Sequence, residues 1–178
     1  MKDEAPRPID PAEARFLEFA SNELDRAYRL AGLLLGSQSD AEDATQDALL
    51  RAWRSFGSLR DATSLQAWFD RILVNVCRDR LRRRRRIAFI ELDDQANSVG
   101  RTDPFKRLLD ADEAVRRMSG LDLDLRTVVI LRYWADLTVP EIAIRLGWPV
   151  GTVKSRLHRA LERIRADLDT RPEPEVTA

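Results

Sequence analysis

Apolar residues recur every three or four positions over most of the chain, which is the spacing of one face of an α-helix. This spacing predicts helices over residues 12–35, 41–56 and 64–86. Short polar or glycine-containing segments at residues 36–40 and 57–63 interrupt the pattern and predict turns. The first part of the chain is therefore expected to contain three helices.

The helical periodicity is lost after the third predicted helix and returns in the last third of the chain. Polar residues dominate the interval, so we place a polar linker at residues 89–112, between a first domain at residues 12–88 and a second at residues 113–169. In the second domain, the apolar run at residues 127–131 has no partner strand and is interpreted as a buried helix. The predicted fold class is all-α, with two small helical domains joined by a polar linker.

Charge is sorted into blocks along a chain whose formal net charge is zero, with 30 basic and 30 acidic residues. Residues 71–90 carry 8 basic residues and 1 acidic residue, whereas residues 1–70 carry 8 basic and 13 acidic residues. A short, dense basic block in an otherwise acidic protein indicates a local contact with nucleic acid, and a solvated charge run is the alternative. The overall balance argues against a protein that coats nucleic acid with its whole surface.

Few residues of this chain are suited to catalysis or metal binding. Cys77 is the only cysteine and His158 the only histidine, so an internal disulfide and a cysteine-based zinc site are excluded. The sequence has no phosphate-binding loop and no paired carboxylates with a nearby base, so we expect neither an enzyme nor a cofactor. The first fifteen residues lack a signal-peptide pattern and the apolar runs are short, which predicts a cytoplasmic protein without membrane insertion.

The strongest motif is the segment LTVPEIAIRLGWPVGTVKSRLHRA, residues 137–160. Thr138 and Glu141 form a T-x-x-E capping box at the start of a short helix. Gly147 supplies the left-handed conformation that ends this helix, and Pro149 starts the next one. A short helix, a tight glycine turn and a second helix form the geometry that docks in a DNA major groove, so the second domain is predicted to contain a helix-turn-helix.

The second helix of this motif is expected to have one apolar and one polar face. The predicted inward stripe consists of Val153, Leu157, Leu161, Ile164 and Leu168. The opposite face and its flanks carry polar residues, most of them donors that read base edges or hold phosphates: Thr152, Lys154, Ser155, Arg156, His158, Arg159 and Glu162. The alternative is an ordinary helical hairpin with a solvated outer face.

The segment DAEDATQDALLRAWRSF, residues 40–56, begins with a face formed by Asp40, Asp43 and Asp47. We favour a solvated face that matches the helix dipole over a metal site, and a protein-docking surface is a third option. Ser39 or Asp40 is expected to cap this helix.

The segment WFDRILVNVCRDRLRRRRR, residues 68–86, places aromatic residues beside a dense arginine run. Stacking faces and phosphate neutralisation are what melted or single-stranded nucleic acid requires. Two alternatives stay open at this point: Trp53 and Trp68 as core residues, and the arginine run as a solvated helix end.

Together, these segments resemble the extracytoplasmic-function group of bacterial RNA polymerase sigma factors. DAEDATQDALLRAWRSF resembles region 2.2, which binds the polymerase clamp, and LQAWFDRILVNVCRDRLRRRRR resembles regions 2.3 and 2.4, which melt the promoter. LTVPEIAIRLGWPVGTVKSRLHRAL is similar to region 4, which reads the upstream promoter element. The resemblance covers residues 12–168 and implies a sigma factor that binds core RNA polymerase, recognises promoter DNA and promotes its melting.

The resemblance also implies roles for individual residues. Docking on the polymerase clamp would involve Asp43, Gln46, Asp47, Leu50, Arg51 and Trp53. The minus-thirty-five element would be contacted by Thr152, Lys154, Ser155, Arg156, His158 and Arg159. The minus-ten element and the melted strand would be contacted by Arg60, Trp68, Asn75, Arg78 and Arg82. The loop at residues 56–64 would cradle a base flipped out of the duplex.

The partners that the resemblance implies are the clamp and flap regions of core RNA polymerase, promoter DNA and a separate anti-sigma factor, with a monomer when free. The loop GSLRDATS departs from the commoner form of that segment, and His158 stands where an aromatic residue or asparagine is frequent, so no base preference is implied. The main rival interpretation is a stand-alone helix-turn-helix transcription regulator, which explains the second domain but not the arginine–aromatic helix. A nuclease built on Asp40, Asp43 and Asp47 is the enzyme alternative.

Overall fold

The computed structural model describes residues 10–57, 65–91, 118 and 120–170. The longer helices of these residues are α1 Pro11–Leu35, α2 Gln38–Phe56, α3 Leu65–Glu91, α4 Leu123–Tyr133, α5 Val139–Leu146 and α6 Val150–Thr170. No strand occurs in this part of the chain, so the predicted all-α fold class is confirmed. None of the described helices is long and apolar enough to cross a membrane.

The ends of α1 and α2 follow from local capping. The Asp10 carboxylate accepts a hydrogen bond from the Ala12 N–H at 3.0 Å, Pro11 occupies the first turn, and Gly36 ends α1 with φ 68°. The expected cap of α2 was wrong, because Ser37 is the N-cap and its side chain accepts from the Asp40 N–H at 3.3 Å. The helix therefore begins at Gln38, one turn earlier than the apolar pattern indicated.

The helix α3 is longer than its predicted extent. It continues to Glu91, whereas the apolar periodicity ends at residue 86. The arginine run hides the pattern here, since a row of identical charged side chains carries no apolar period. The interval proposed as the linker lies almost wholly outside the described residues, which resume at Met118.

The N-terminal half, residues 10–91, is a three-helix unit around large apolar side chains of α1 and α3. Small residues of α2 lie against them, and the fully buried members include Leu30, Leu34, Ala44, Ala48, Phe69 and Leu73. Alanine at these α2 positions lets the helix axes approach closely. One end of the unit is filled by the Phe16 ring, whose centroid lies 5.1 Å from that of Trp53 and 5.2 Å from that of Phe56.

The C-terminal half, described from Met118 to Thr170, is built from α4, α5 and α6. The apolar run at residues 127–131 lies in α4 and is buried, which confirms a buried helix rather than a strand. At the start of α5, the Glu141 carboxylate accepts from the Thr138 backbone N–H at 2.7 Å and from its hydroxyl at 2.5 Å, as the capping box predicts. These two hydrogen bonds lower the pKa of Glu141 from its ordinary value.

The two halves pack against each other over a continuous core. The helix α4 contacts α1, and α5 contacts α3, so that Val128, Leu131 and Ile142 belong to the same buried cluster as Leu73. Arg126 of α4 also donates a hydrogen bond to the Leu34 carbonyl of α1 at 2.7 Å. This contact between the halves is a finding of the structure for which the sequence offered no prediction.

Candidate functional site

The helix-turn-helix presents a polar face of α6 to solvent directly after a tight turn. Gly147 ends α5 with φ 65°, and α6 begins at Val150. Of the predicted DNA-contacting residues on α6, Lys154, Ser155, His158 and Arg159 are exposed, whereas Thr152 and Arg156 are half-buried. The structure thus gathers four of the six on an open helical face of the kind that enters a major groove.

The side chains on the apolar side of α6 are buried to different extents, and they are not all the residues of the predicted inward stripe. Val153 and Ala160 are fully buried, and Ala160 was not part of the prediction. Leu157 and Ile164 are partly buried against Leu121, Leu125 and Val129. Leu161 is half-buried, and the side chain of Leu168 lies outside those that are described. Ala160 belongs to the same buried cluster as Leu121, Leu125 and Val129, so its short side chain lets α6 lie close to α4.

The predicted polymerase-binding residues form one exposed side of α2. Asp43, Gln46, Leu50, Arg51 and Trp53 are exposed, and Asp47 is half-buried. Leu50 is 54% exposed and Trp53 is 44% exposed. Two large apolar side chains in solvent beside charged residues have the composition expected of the core and rim of a protein–protein interface. The structure therefore brings all six residues onto a single surface, here called the α2 surface.

The arginine run of α3 is divided between two opposite faces of the helix. Arg80 donates to Asp43 at 3.1 Å and to Asp47 at 2.8 Å, and Arg84 pairs with Asp40 at 2.7 Å. These arginines neutralise the acidic start of α2 and are not free to contact DNA. Burial lowers the pKa of the Arg80 guanidinium, but the hydrogen bonds that it donates to Asp47 and Asp43 and the charges of these carboxylates outweigh this, so that its pKa is raised overall. A rotation of about 100° per residue separates Arg80 and Arg84 from Arg78 and Arg82, and that signal was present in the sequence.

The other face of α3 carries the residues predicted to contact the minus-ten element. Asn75 and Arg82 are exposed, and Trp68 is half-buried with its ring centroid 6.5 Å from that of Phe56. Arg78 is engaged with the C-terminal half, as described next. Arg60 and most of the loop predicted to hold a flipped base lie outside the described residues.

A cleft of about 330 Å³ separates this face of α3 from the C-terminal half. Its lining residues include Arg78, Arg82, Asp122, Asp124, Arg156 and Arg159. Asp124 of α4 pairs with Arg78 at 3.0 Å and with Arg156 at 2.9 Å. Both guanidinium groups also lie over the Trp148 ring, at 5.3 Å and 4.0 Å from its centroid.

A buried carboxylate joins the two halves further along α3. Asp70 has no solvent-exposed surface and pairs with Arg26 of α1 and, at 2.6 Å, with Arg145 of α5. Burial lowers the pKa of Arg26, but the charge and hydrogen bonds of Asp70 and Glu23 outweigh this, so that its pKa is raised overall. Nearby, Arg71 donates to the Ile144 carbonyl at 2.7 Å. Sequence analysis missed this cluster, and a charged residue within the apolar stretch at residues 68–76 was the one available signal.

The described part of the chain contains no group of three or more histidine, cysteine or acidic side chains that could hold a metal ion. Asp40, Asp43 and Asp47 each have an arginine partner instead. Cys77 is buried, and burial raises the pKa of its thiol to about 12, so it is not an activated nucleophile.

Comparison with known protein families assigns both halves. Residues 19–87 match the model of sigma-70 region 2, and residues 111–164 match the model of sigma-70 region 4. The chain is 35% identical over 144 residues to the RNA polymerase sigma factor SigV of Bacillus subtilis, a match that covers 79% of this chain and 83% of SigV. The chain belongs to the extracytoplasmic-function group of bacterial sigma factors.

Another relative and a solved structure agree with this assignment. The extracytoplasmic-function sigma factor SigE of Mycolicibacterium smegmatis is 34% identical over 153 residues, and the match covers 83% of this chain but 59% of SigE, so the chain spans about three fifths of that relative. The sigma factor RpoE of Bartonella quintana, solved in complex with the anti-sigma factor NepR, superposes with a TM-score of 0.69 at 26% identity. That superposition covers 89% of this chain and 99% of RpoE.

The assignment confirms the predicted family and function class. Sigma factors are transcription initiation factors rather than enzymes, and they act with core RNA polymerase on promoter DNA. The rival interpretation, a stand-alone regulator, is not better supported, because it accounts for the region 4 match but not for the region 2 match.

Proposed function

We propose that this sigma factor docks on the polymerase clamp and recognises and melts the minus-ten element with residues 12–88, and reads the minus-thirty-five element with residues 113–169. Residues 89–112 would connect the two domains. The observation that carries the proposal is the exposed donor-rich face of α6 after the Gly147 turn, in a chain that also exposes Leu50 and Trp53 on α2. One surface would bind DNA and the other would bind the polymerase.

The α2 surface is suited to a polymerase contact because its apolar centre is held by an ordered charged rim. Arg80 fixes Asp43 and Asp47 by hydrogen bonds of 3.1 Å and 2.8 Å. Leu50 and Trp53 keep exposed apolar surface that a complementary pocket would bury. Burying an aromatic side chain of this kind at the centre of an interface is often worth 2 kcal/mol or more, by order of magnitude.

DNA contacts on α6 would combine phosphate binding with base recognition. Lys154 and Arg159 are exposed, and neither forms an ion pair with another of the described residues. His158 pairs with Glu162 at 3.3 Å and remains 74% exposed, so it is available to a base edge or a phosphate. Serine and threonine hydroxyls at positions 155 and 152 complete a face of mixed donors.

The minus-ten contacts would come from α3 and the loop before it. Asn75 and Arg82 are exposed on the face away from α2, while Trp68 lies half-buried at its start. Arg60 and the base-holding loop are part of the same proposal. Holding an extruded base requires interactions that offset an unstacking cost of a few kcal/mol.

We further propose that the protein catalyses no reaction of its own and acts in the bacterial cytoplasm, where RNA polymerase meets promoter DNA. A separate anti-sigma factor is proposed as a regulator, supported by the structure of the related RpoE with NepR. The free protein would be a monomer.

In vitro transcription tests the proposal. Purified protein and core RNA polymerase are incubated with fragmented genomic DNA, and transcript starts are sequenced. The proposal would be supported by transcript starts at defined positions that appear only when the protein is present and that share two spaced upstream sequence elements. The variant Arg159→Ala should lower the yield and reduce the salt slope of promoter binding by about 0.9 if it removes one phosphate contact. Arg163→Ala serves as the matched control, because it removes an exposed arginine of the same helix that pairs with Asp122 at 3.1 Å and is not among the proposed DNA contacts.

A further inference from the structure

We infer that Arg156 is a positioning residue for promoter recognition rather than a DNA contact. It holds the first turns of α6 against α4 and against the turn before α6, so that the exposed donors of α6 meet the minus-thirty-five element in register. The inference rests on the proposed function and deepens it. It also reassigns one residue that the family resemblance placed among the DNA contacts.

Arg156 lies on the inward side of α6. It follows Val153 by three residues and precedes Ala160 by four, and both of these neighbours are fully buried. Residues three or four apart on a helix share one face. Ser155 and Arg159, which are also four apart, lie on the exposed side. The Arg156 side chain therefore begins on a face that is directed into the protein.

Two groups of the C-terminal half hold the Arg156 guanidinium. Asp124, in the first turn of α4, pairs with it at 2.9 Å. The Trp148 ring, in the turn between α5 and α6, has its centroid 4.0 Å from the central carbon of the guanidinium. Only 27% of the Arg156 side chain remains exposed. One side chain thus joins α4, the turn and α6, and these contacts involve no residue of the N-terminal half.

A phosphate would offer Arg156 little in exchange for these contacts. Leaving Asp124 for a phosphate replaces one anionic acceptor by another, and it also removes the guanidinium from the Trp148 ring. Lys154 and Arg159 lose nothing comparable, because they are exposed and form no ion pair with another of the described residues. Direct contacts with DNA should therefore come from these two residues, whereas Arg156 contributes by placing α6.

The chemistry of the guanidinium distinguishes the two roles. A planar guanidinium stacks on an aromatic ring while it pairs with a carboxylate, and the compact ammonium group of lysine does not reproduce both interactions. A lysine would, however, still neutralise a phosphate as a point charge. Arg156→Lys should therefore impair a positioning residue and should spare a phosphate contact.

Promoter binding by the holoenzyme, which is core RNA polymerase combined with this protein, tests the inference. It is titrated onto a promoter fragment obtained from the transcription assay, and onto the same fragment with a scrambled minus-thirty-five element, at several salt concentrations. Arg156→Lys and Arg156→Ala should each reduce the preference for the intact element about tenfold, which is the size of one good base contact. The salt slope should stay unchanged, because no phosphate contact is lost.

Arg159 provides the matched control, because it is an exposed arginine of the same helix. Arg159→Ala should lower the salt slope by about 0.9, and Arg159→Lys should keep the parental slope, which is the pattern of a phosphate contact. Thermal unfolding of the free protein gives a readout without polymerase or DNA. Arg156→Ala should lower the melting temperature, because it removes an ion pair and a stacking contact, and Arg159→Ala should leave it unchanged.

Two results would overturn the positioning role. If Arg156→Lys kept the parental preference while Arg156→Ala lowered the salt slope by about 0.9, Arg156 would be a phosphate contact. If the Arg156 variants lost discrimination at a single base pair rather than along the whole element, it would be a base contact. Should circular dichroism show Arg156→Ala unfolded at the assay temperature, Arg156→Lys alone decides. A parent holoenzyme that did not prefer the intact element would instead overturn the proposed function and this inference together.

Discussion

The substitution Asp70→Asn tests how much the structure depends on its buried charge. Asparagine has nearly the same shape, so the change removes a charge without leaving a cavity. Both neighbours of Asp70, the side chains of Arg26 and Arg145, are donors only, and an amide nitrogen pointing at either one meets another donor. At least one arginine therefore loses its ion pair with residue 70, and the contacts that remain are those of Arg26 with Glu23 and of Arg145 with Gln66.

The expected cost follows from burial. Breaking a buried ion pair by removing one partner costs about 3–5 kcal/mol. Because Arg26 and Arg145 keep 23% and 16% exposure, water recovers part of this cost and we expect the lower end, about 3 kcal/mol. A total stability of about 5–15 kcal/mol makes this a large fraction. For a chain of this size, the melting temperature should fall by about 6–12 °C.

Thermal unfolding followed by far-ultraviolet circular dichroism measures the effect, and urea unfolding gives an independent value. Asp122→Asn is the matched control, because that carboxylate is 58% exposed and its pair with Arg163 should contribute no more than about 1 kcal/mol. If Asp70→Asn cost as little as the control, the carboxylate would not be a buried ion-pair centre in solution.

Three further predictions concern single residues. Gly147→Ala should destabilise the helix-turn-helix by about 1–2 kcal/mol, because φ is 65° and a Cβ would lie 3.1 Å from the Arg71 guanidinium. A Cβ at Gly151 would meet open space, so the control Gly151→Ala should be neutral or stabilising. Thermal unfolding measures both effects. Trp53→Ala should weaken binding to core polymerase at least about tenfold in a fluorescence titration. Leu17→Ala, which removes an exposed apolar side chain from α1, should not weaken it. The Cys77 thiol, whose pKa is raised to about 12 by burial, should react with a thiol reagent at pH 8 only after denaturant is added; rapid labelling of the native protein would contradict this burial.

The helices and the helix-turn-helix were predictable because their signals are local. The capping box at Thr138 and the left-handed Gly147 define α5 within one short segment. The start of α2 was misplaced because Ser37, Ser39 and Asp40 are all competent caps, and the apolar pattern does not distinguish among them.

The helical period separates Arg80 and Arg84 from Arg78 and Arg82, but the neighbour that each face contacts is not evident from α3 alone. Arg80 and Arg84 face α2, but this is evident only when Asp40, Asp43 and Asp47 are placed opposite them. The sequence shows Asp70 as a charged residue in an apolar stretch, but it gives no indication that its partner is Arg145. This ion pair joins residues 75 positions apart in two halves whose packing depends on complementary shapes, which no local period encodes.

Promoter opening by a defined mixture tests the central claim most directly. Core RNA polymerase free of other sigma factors is combined with this protein on a promoter fragment, and unpaired thymines are mapped by permanganate. We predict reactive thymines just upstream of the transcript start only when both components are present. If opening required another sigma factor, with this protein merely binding nearby DNA, the assignment of promoter recognition and melting to this chain would be contradicted.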